Sequence, residues 1–87
     1  MNQVTIYTTQ TCSYCIMAKR LLASKGITPV EINVGGNPQL MQELMQKTGR
    51  RTVPQIYFGE QHVGGYDDLV ALERAGGLEQ VRAPLSA

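Results

Sequence analysis

The sequence predicts a small α/β protein in which helices flank one four-stranded mixed sheet. The first part of the chain has a strand pattern, a helix pattern and a second strand pattern, which together form a β–α–β unit. Two later strand patterns are separated by Gly59-Glu60, a two-residue connection typical of an antiparallel hairpin. At 87 residues the chain can enclose only one modest core, so these elements belong to a single domain.

The β–α–β unit is predicted from three consecutive segments. Side chains alternate in character over residues 3–8, apolar side chains recur at helical spacing over 13–24, and Gly26 ends that helix. The alternation resumes over 29–34, where a proline at the start suits an edge strand. The apolar side of the helix is predicted to comprise Ile16, Met17, Ala18, Leu21 and Leu22. A right-handed crossover makes the two strands parallel and places the loop before the helix at the C-terminal edge of the first strand.

A second helix and a hairpin are predicted next. Asn37 as N-cap and Pro38 at the first helical position begin a helix that ends at Gly49. The hairpin strands are predicted at 53–58 and 61–64, with a type II′ turn between them. These two strands are expected to be antiparallel.

The last helix is predicted to begin with Asp67 or Asp68 as its N-cap and to end at Gly76-Gly77. A final turn is expected at 78–81.

The predicted order is therefore β-α-β-α-β-β-α, which is the order of the thioredoxin fold. We expect the domain to comprise residues 1–82, with 83–87 as a flexible C-terminal tail, because this last segment has no periodicity.

Composition excludes several classes of protein. A formal net charge of +1 and 17% charged residues give no indication of a nucleic-acid or membrane partner. The N-terminus lacks the basic and apolar regions of a secretory signal, so a cytoplasmic location is expected. In that compartment a structural disulfide is disfavoured, since thiols there are kept reduced.

Cys12 and Cys15, the two cysteines, lie between the first predicted strand and the first predicted helix. A cysteine at a helix start meets unpaired N–H groups and the positive end of the helix dipole, which stabilise its thiolate, so Cys12 is the predicted nucleophile. Cys15 is predicted to be more buried and to have the higher pKa, as suits a resolving thiol. Lys19, one turn further, is expected to add positive potential. Zinc is disfavoured, since the chain has neither a second cysteine pair nor a histidine cluster.

His62 is the single histidine. A Cys–His nucleophile pair is disfavoured because no Asn or Asp lies at a recognisable spacing, so a histidine on a surface strand is predicted instead.

Pro54 lies where a strand begins. The sequence does not specify the isomer of the Val53–Pro54 bond, and trans is the statistical default, since only about 5–6% of X–Pro bonds are cis. A cis bond would turn the backbone N–H and C=O of Val53 outward, towards a peptide-like ligand.

Residues 64–68, Gly-Gly-Tyr-Asp-Asp, admit two interpretations. A glycine pair before a helix N-terminus lets backbone approach a carboxylate ligand closely. The same residues also suit a flexible turn followed by an aspartate N-cap.

Together these motifs resemble the glutaredoxin family, in its small bacterial class I, dithiol form. The resemblance runs from about Val4 to Leu78 and rests on Tyr7-Thr8, Cys12-Ser13-Tyr14-Cys15, Ala18-Lys19, Thr52-Val53-Pro54-Gln55 and Gly64-Gly65-Tyr66-Asp67-Asp68-Leu69. It implies that glutathione is the co-substrate and that Cys12 attacks glutathione mixed disulfides, with Cys15 resolving protein disulfides. It also implies a glutathione site comprising Tyr14, Arg51, Thr52, Val53, Pro54, Gly65, Tyr66 and Asp67, in which the last three hold the γ-glutamyl end.

The sequence departs from that family at several positions. Thr9 and Met41 stand where many relatives carry groups that hold the glycine carboxylate of glutathione. Two outcomes are open: either Arg51, Arg50 or Gln42 compensates, or glutathione binds more weakly than in those relatives. Tyr66 replaces a small residue, and Ser13 replaces a proline.

The expected function is a monomeric, glutathione-dependent oxidoreductase that has no permanently bound cofactor and acts on glutathionylated or disulfide-containing proteins. Ser13 keeps open an alternative, a dimeric carrier of a [2Fe–2S] cluster in which each protomer supplies Cys12 and one glutathione. A thioredoxin-like electron donor that ignores glutathione is a second alternative.

Overall fold

The computed structural model describes residues 3–77. Within that range the elements follow the predicted order: β1 (Val4–Thr8), α1 (Ser13–Ser24), β2 (Val30–Asn33), α2 (Pro38–Thr48), β3 (Gln55–Phe58), β4 (Gln61–Gly64) and α3 (Tyr66–Arg74). The predicted turn at 78–81, the domain boundary at 82 and the tail at 83–87 lie outside the described residues.

The four strands of the described range form one mixed sheet in the order β2-β1-β3-β4. β1 is parallel to β2 and antiparallel to β3, with Ile6 opposite Ile56, and β4 pairs with β3 as the antiparallel hairpin. β2 is an edge strand, as its proline predicted. The predicted fold, a mixed sheet of thioredoxin type flanked by helices, is confirmed.

The first two helices begin and end as the sequence predicts. α1 covers the predicted residues and has Cys12 as its N-cap. The Asn37 side chain caps α2 by accepting the N–H of Leu40, and Gly49 ends α2 with a left-handed φ of 72°.

The N-cap prediction for α3 is wrong. Gly65 is the N-cap, and Asp67 and Asp68 lie inside the first turn. The Asp68 carboxylate still stabilises the start of α3, because it accepts the N–H of Gly65 at 2.9 Å. An acid three residues after the N-cap satisfies that backbone group as the acidic half of a capping box.

The core lies between α1, α3 and one face of the sheet. Ile6, Leu22, Ile56 and Leu69 are fully buried there. Burial of these side chains fixes the rotation of α1 about its axis and with it the direction in which the N-terminus of the helix points.

The apolar side of α1 is narrower than predicted. Cys15, Ala18 and Leu22 form the buried face, at spacings of three and four residues, whereas Ile16 and Met17 are 46% and 42% exposed. A face built on positions 15, 18 and 22 turns positions 16 and 17 away from the sheet.

Among residues 3–77, no helix has the length and apolar character needed to cross a bilayer.

Truncation of Leu22 tests this assignment of the α1 face. We expect Leu22→Ala to lower the free energy of unfolding by about 2–5 kcal/mol, because it opens a cavity in the core. Met17→Ala in the same helix removes an exposed side chain and is expected to change stability by no more than about 0.5 kcal/mol. Urea unfolding of both variants measures the difference, and equal losses would contradict the assigned face.

Candidate active site

Cys12 lies at the junction of the loop after β1 and the first turn of α1. Its sulfur accepts the backbone N–H of Cys15 at 3.0 Å, so the thiol itself caps the helix. The same thiol points to the backbone carbonyl of Val53, with the sulfur 3.5 Å from the oxygen. The half-buried Cys12 side chain therefore contacts both a helix N-terminus and the segment before β3, which lies 41 residues away along the chain.

Cys15 lies beneath it and is only 1% exposed. Burial raises the pKa of the Cys15 thiol to about 12, and the hydrogen bond with Cys12 contributes to the same shift. Both cysteines are free thiols. The two thiols therefore differ as expected: one is accessible at the helix end, and the other is buried and protonated at neutral pH.

Val53 and Pro54 lie just before β3, which begins two residues later than predicted. The Val53–Pro54 peptide bond is cis, the less common isomer of an X–Pro bond. The isomer depends on the tertiary surroundings of the proline, which the local sequence does not specify. Among the hydrogen bonds of residues 3–77, the backbone N–H of Val53 has no acceptor.

An open cleft of about 310 Å³ extends from this segment. Its lining consists of Tyr14, Arg50, Thr52, Val53, Pro54, Gly65, Tyr66, Asp67 and Asp68. Seven of the eight residues predicted to bind a substrate are thus brought together, and Cys12 reaches the cleft through Val53. Arg51, the eighth, is exposed and is not part of the lining.

Arg50 and Asp68 also line the cleft, although the sequence named Arg50 only as one alternative holder of the glycine carboxylate and did not place Asp68 in the site. Their side chains form an ion pair, with Nη1 2.8 Å from Oδ2. The hydrogen bond from Arg50, followed by that from the N–H of Gly65, holds the pKa of Asp68 below its ordinary value. An acid three residues after the N-cap is the acidic half of a capping box, and this spacing could have indicated Asp68 had Gly65 been recognised as the N-cap.

Gly64 is required by the way the chain enters α3. Its φ of +122° is disfavoured for any residue with a side chain, and an added Cβ would overlap the Asp68 carboxylate. Gly65 is less constrained, since a Cβ there would lie 3.5 Å from the Pro54 carbonyl oxygen, an ordinary contact. Of the two glycines, it is therefore Gly64 that lets the Asp68 carboxylate approach the turn before α3.

Two tyrosines line one side of the cleft. The rings of Tyr14 and Tyr66 have centroids 5.9 Å apart at 33°. Tyr66 also packs against the core, whereas Tyr14 is 58% exposed. Tyr66 therefore anchors the outer ring.

Lys19 does not present an uncompensated charge to the site. Its Nζ lies 3.1 Å from a Glu31 carboxylate oxygen. Glu31 also accepts the hydroxyl of the fully buried Thr8 at 2.7 Å, and these two contacts lower the pKa of its carboxyl, the hydroxyl more strongly. Glu31 in β2 thus joins Lys19 of α1 and Thr8 of β1 close to the cysteines.

His62 lies in β4, as predicted, and is partly exposed. Its Nε2 contacts Gln55 at 2.7 Å, and no nucleophile pair with a cysteine forms. Among residues 3–77 no group of three or more His, Cys, Asp or Glu side chains could hold a metal ion. The cluster alternative needs Cys12 from two protomers, so it stays a prediction.

The family comparison agrees with this geometry. The family model described as glutaredoxin matches residues 4–63, from β1 to the end of the hairpin. The chain belongs to the glutaredoxin family. Members of this family are thiol–disulfide oxidoreductases, so this glutaredoxin is an enzyme of that class and Cys12-Ser13-Tyr14-Cys15 is its Cys-x-x-Cys motif.

Individual glutaredoxins resemble it along most of its length. A glutaredoxin from Pseudomonas aeruginosa is 58% identical over 79 residues, which cover 91% of this chain and 94% of that protein. The solution structure of glutaredoxin from Brucella melitensis is 48% identical with a TM-score of 0.83, covering 93% of this chain and 88% of that one. The crystal structure of a buckwheat glutaredoxin–glutathione complex is 28% identical with a TM-score of 0.86, covering 99% of this chain and 81% of that one.

The different constraints on the two glycines of this glutaredoxin can be tested by alanine substitution. Gly64→Ala is expected to lower the free energy of unfolding by about 1–3 kcal/mol, because it forces a side chain into a disfavoured φ and displaces Asp68. Gly65→Ala, the matched control, should cost no more than about 1 kcal/mol. Thermal unfolding of both proteins would contradict the analysis if Gly65→Ala were the more destabilised.

The Asp68 carboxylate should make stability depend on pH. Its pKa is lowered in the folded state, so its contribution is complete above the unfolded value of about 3.9 and is lost as pH falls through the folded-state pKa. Asp68→Asn should therefore be less stable than wild type at pH 7, and this difference should shrink as pH falls through the folded-state pKa of Asp68. Urea unfolding across this range measures the difference.

Asp67→Asn, which alters an exposed carboxylate in the same turn, is the control. A stability difference for Asp68→Asn that stays constant between neutral and acidic pH would contradict the assignment of the ion pair.

Proposed function

We propose that this glutaredoxin reduces mixed disulfides of glutathione, with Cys12 as the attacking thiol and the cleft as the glutathione site. The observation that carries the proposal is the position of the Cys12 sulfur, which lies 3.5 Å from the Val53 carbonyl at the edge of the cleft. A disulfide attacked at this sulfur can leave its glutathione part in the cleft. Glutaredoxins use glutathione as co-substrate, and the similar buckwheat protein was crystallised in complex with it.

The reaction balances as two thiol–disulfide exchanges. The Cys12 thiolate attacks the glutathione sulfur, a Cys12–glutathione disulfide forms, and the substrate sulfur leaves and takes up a proton. A second glutathione thiolate then attacks the same glutathione sulfur, which yields glutathione disulfide and regenerates the Cys12 thiolate. The N–H of Cys15, 3.0 Å from the Cys12 sulfur, stabilises negative charge on that sulfur at the start and the end of this cycle.

Cys15 serves the reduction of protein disulfides. In that route Cys12 forms a mixed disulfide with the protein, and Cys15 attacks Cys12 to release the protein as a dithiol. Cys15 is three residues from Cys12 along the chain and its N–H already contacts the Cys12 sulfur, so the two sulfurs lie at neighbouring positions. Two glutathione molecules then reduce the Cys12–Cys15 disulfide.

The backbone near Pro54 supports the cysteinyl part of glutathione. The Val53 N–H has no acceptor among the described residues, and the Val53 carbonyl faces the reacting sulfur. An extended peptide laid along residues 52–54 can therefore pair with this backbone as an added strand does. Tyr14 would cover the sulfur from the opposite side.

The N-terminus of α3 supports the γ-glutamyl end. A helix N-terminus offers backbone N–H groups without intrahelical partners, and these suit the α-carboxylate of the γ-glutamyl residue of glutathione. The exposed Asp67 carboxylate suits the ammonium group of the same residue. Gly65 and Tyr66 complete this part of the lining.

Arg50 replaces Arg51 in the proposed set of glutathione ligands, because only the former lines the cleft. Its guanidinium forms an ion pair with Asp68 and is half-exposed. In this position the guanidinium can attract the carboxylates of glutathione. We further propose that the protein works as a monomer in the cytoplasm, since the cleft comprises residues of one chain and glutathione is kept reduced there.

The two cysteines are assigned separately by serine substitution. Cys12→Ser is expected to lose at least about 10³-fold in the turnover of a glutathione–cysteamine mixed disulfide, because a serine hydroxyl is not ionised at neutral pH and forms no disulfide. Cys15→Ser should retain this activity and lose the reduction of a protein disulfide. Both rates are followed by coupling glutathione disulfide formation to glutathione reductase.

Circular dichroism of both variants controls for folding. Turnover of the mixed disulfide by folded Cys12→Ser at a rate near that of wild type would refute the proposed role of Cys12.

A further inference from the structure

Outside the cleft, a buried amide joins the segment before β3 to the single histidine. The Gln55 side chain is 0% exposed. Its amide nitrogen donates to the Thr52 carbonyl at 2.9 Å and contacts the Thr52 hydroxyl at 3.3 Å, and its amide oxygen lies 2.7 Å from His62 Nε2. A buried amide in this arrangement has all its contacts directed at two residues.

The direction of these hydrogen bonds follows from the chemistry of the groups. The Thr52 carbonyl can only accept, so the Gln55 amide nitrogen must face it and the amide oxygen must face His62. An amide oxygen can only accept, so His62 Nε2 carries a proton and donates. His62 thus donates to Gln55, and Gln55 in turn donates to Thr52. We call this path of hydrogen bonds the relay.

The His62 ring is itself held in place. It lies opposite Tyr57 in the hairpin, with ring centroids 5.0 Å apart at 31°, and the Lys47 ammonium lies 4.4 Å from the centre of the Tyr57 ring. Burial, together with the nearby Arg50 charge, lowers the pKa of His62. The histidine is therefore a packed, oriented donor.

Residues 52–54 depend on this support. The register of β3 with its neighbour β1 begins at Gln55, so the preceding residues take no part in the sheet. Among the hydrogen bonds of residues 3–77, the two that reach Thr52 both come from the Gln55 amide. Val53, whose carbonyl faces the Cys12 sulfur, lies between the supported Thr52 and the strand.

We propose that His62 and Gln55 are positioning residues that hold the Thr52–Pro54 backbone in the geometry that binds the glutathione part of the substrate. This inference rests on the proposed function of the cleft. Neither side chain lines the cleft, so the two act through Thr52. Binding groups lose much of their effect when they shift by about 1 Å, which makes such support measurable in substrate binding.

Two substitutions at His62 separate the donor from the ring. His62→Phe keeps a ring against Tyr57 and removes the donor, leaving the buried Gln55 oxygen unpaired. His62→Gln loses the ring and places an amide N–H at a similar distance from the backbone. We expect His62→Phe to raise the half-saturating concentration of glutathione–cysteamine disulfide about tenfold, with the limiting rate unchanged, and His62→Gln to restore it to within about twofold of wild type.

The measurement is the rate at which the reduced protein is oxidised, as a function of disulfide concentration. Cystamine, which has the same leaving thiol and lacks the glutathione part, is the matched substrate, and its rate should be unaffected in both variants. Gln55→Met removes the amide that joins His62 to Thr52 in the relay and should raise the half-saturating concentration as His62→Phe does. It keeps the test possible if His62→Phe folds poorly.

Each outcome decides a separate point. Wild type that shows no preference for the glutathione disulfide over cystamine would refute the proposed function, and with it this inference. A wild-type preference that His62→Phe and Gln55→Met both retain would refute the inference alone. So would equal losses on both disulfides, or a failure of His62→Gln to restore binding, because these results indicate general damage to the fold.

Discussion

The contact between the Cys12 sulfur and the Val53 carbonyl is the constraint on which the site depends. It joins segments 41 residues apart, and the sheet is what brings them together. Because β1 and β3 are antiparallel and Tyr7 pairs with Gln55, the end of β1 and the beginning of β3 lie at one edge of the sheet. The loop that follows β1 and carries Cys12 begins at that edge. The segment that connects α2 to β3 ends at the same edge. Central antiparallel pairing therefore fixes the thiol and the backbone opposite it.

Much of the fold could be predicted because local patterns and local caps specify it. Asn37-Pro38 and Gly49 mark both ends of α2 through contacts within a few residues, and the sequence contains these in full. The α1 face was harder, because Ile16 and Met17 are as apolar as the residues that are buried. Only packing against the sheet decides which apolar side chains face inwards. The N-cap of α3 lies two or three residues before the predicted one, since a glycine N-cap carries no side-chain signal and the acid that accepts its N–H lies further along the chain.

The site divides along the same line. Cys12 and Tyr14 belong to a contiguous motif, and residues 52–54 and 65–67 were found through their resemblance to a family. Arg50 and Asp68 meet across 18 residues, so no local pattern indicates their ion pair. Nor could the sequence decide between Arg50 and its neighbour Arg51, because adjacent loop residues differ only in direction. The role of Gln55 follows from burial, which leaves its amide two partners, and burial is a tertiary property.

The burial of Cys15 has a kinetic consequence for the proposed cycle. Burial is the largest cause of the raised pKa of the Cys15 thiol and persists when Cys12 is oxidised, so only a small fraction of Cys15 is ionised at pH 7. Once Cys12 has formed a disulfide, its adduct has two competing fates: attack by the buried thiol, which is rarely ionised but always adjacent, or attack by free glutathione, which is mobile. The second rate scales with glutathione concentration and the first does not. In the proposed cycle, the concentration of glutathione would thus select between the one-cysteine and two-cysteine routes without any change in the protein.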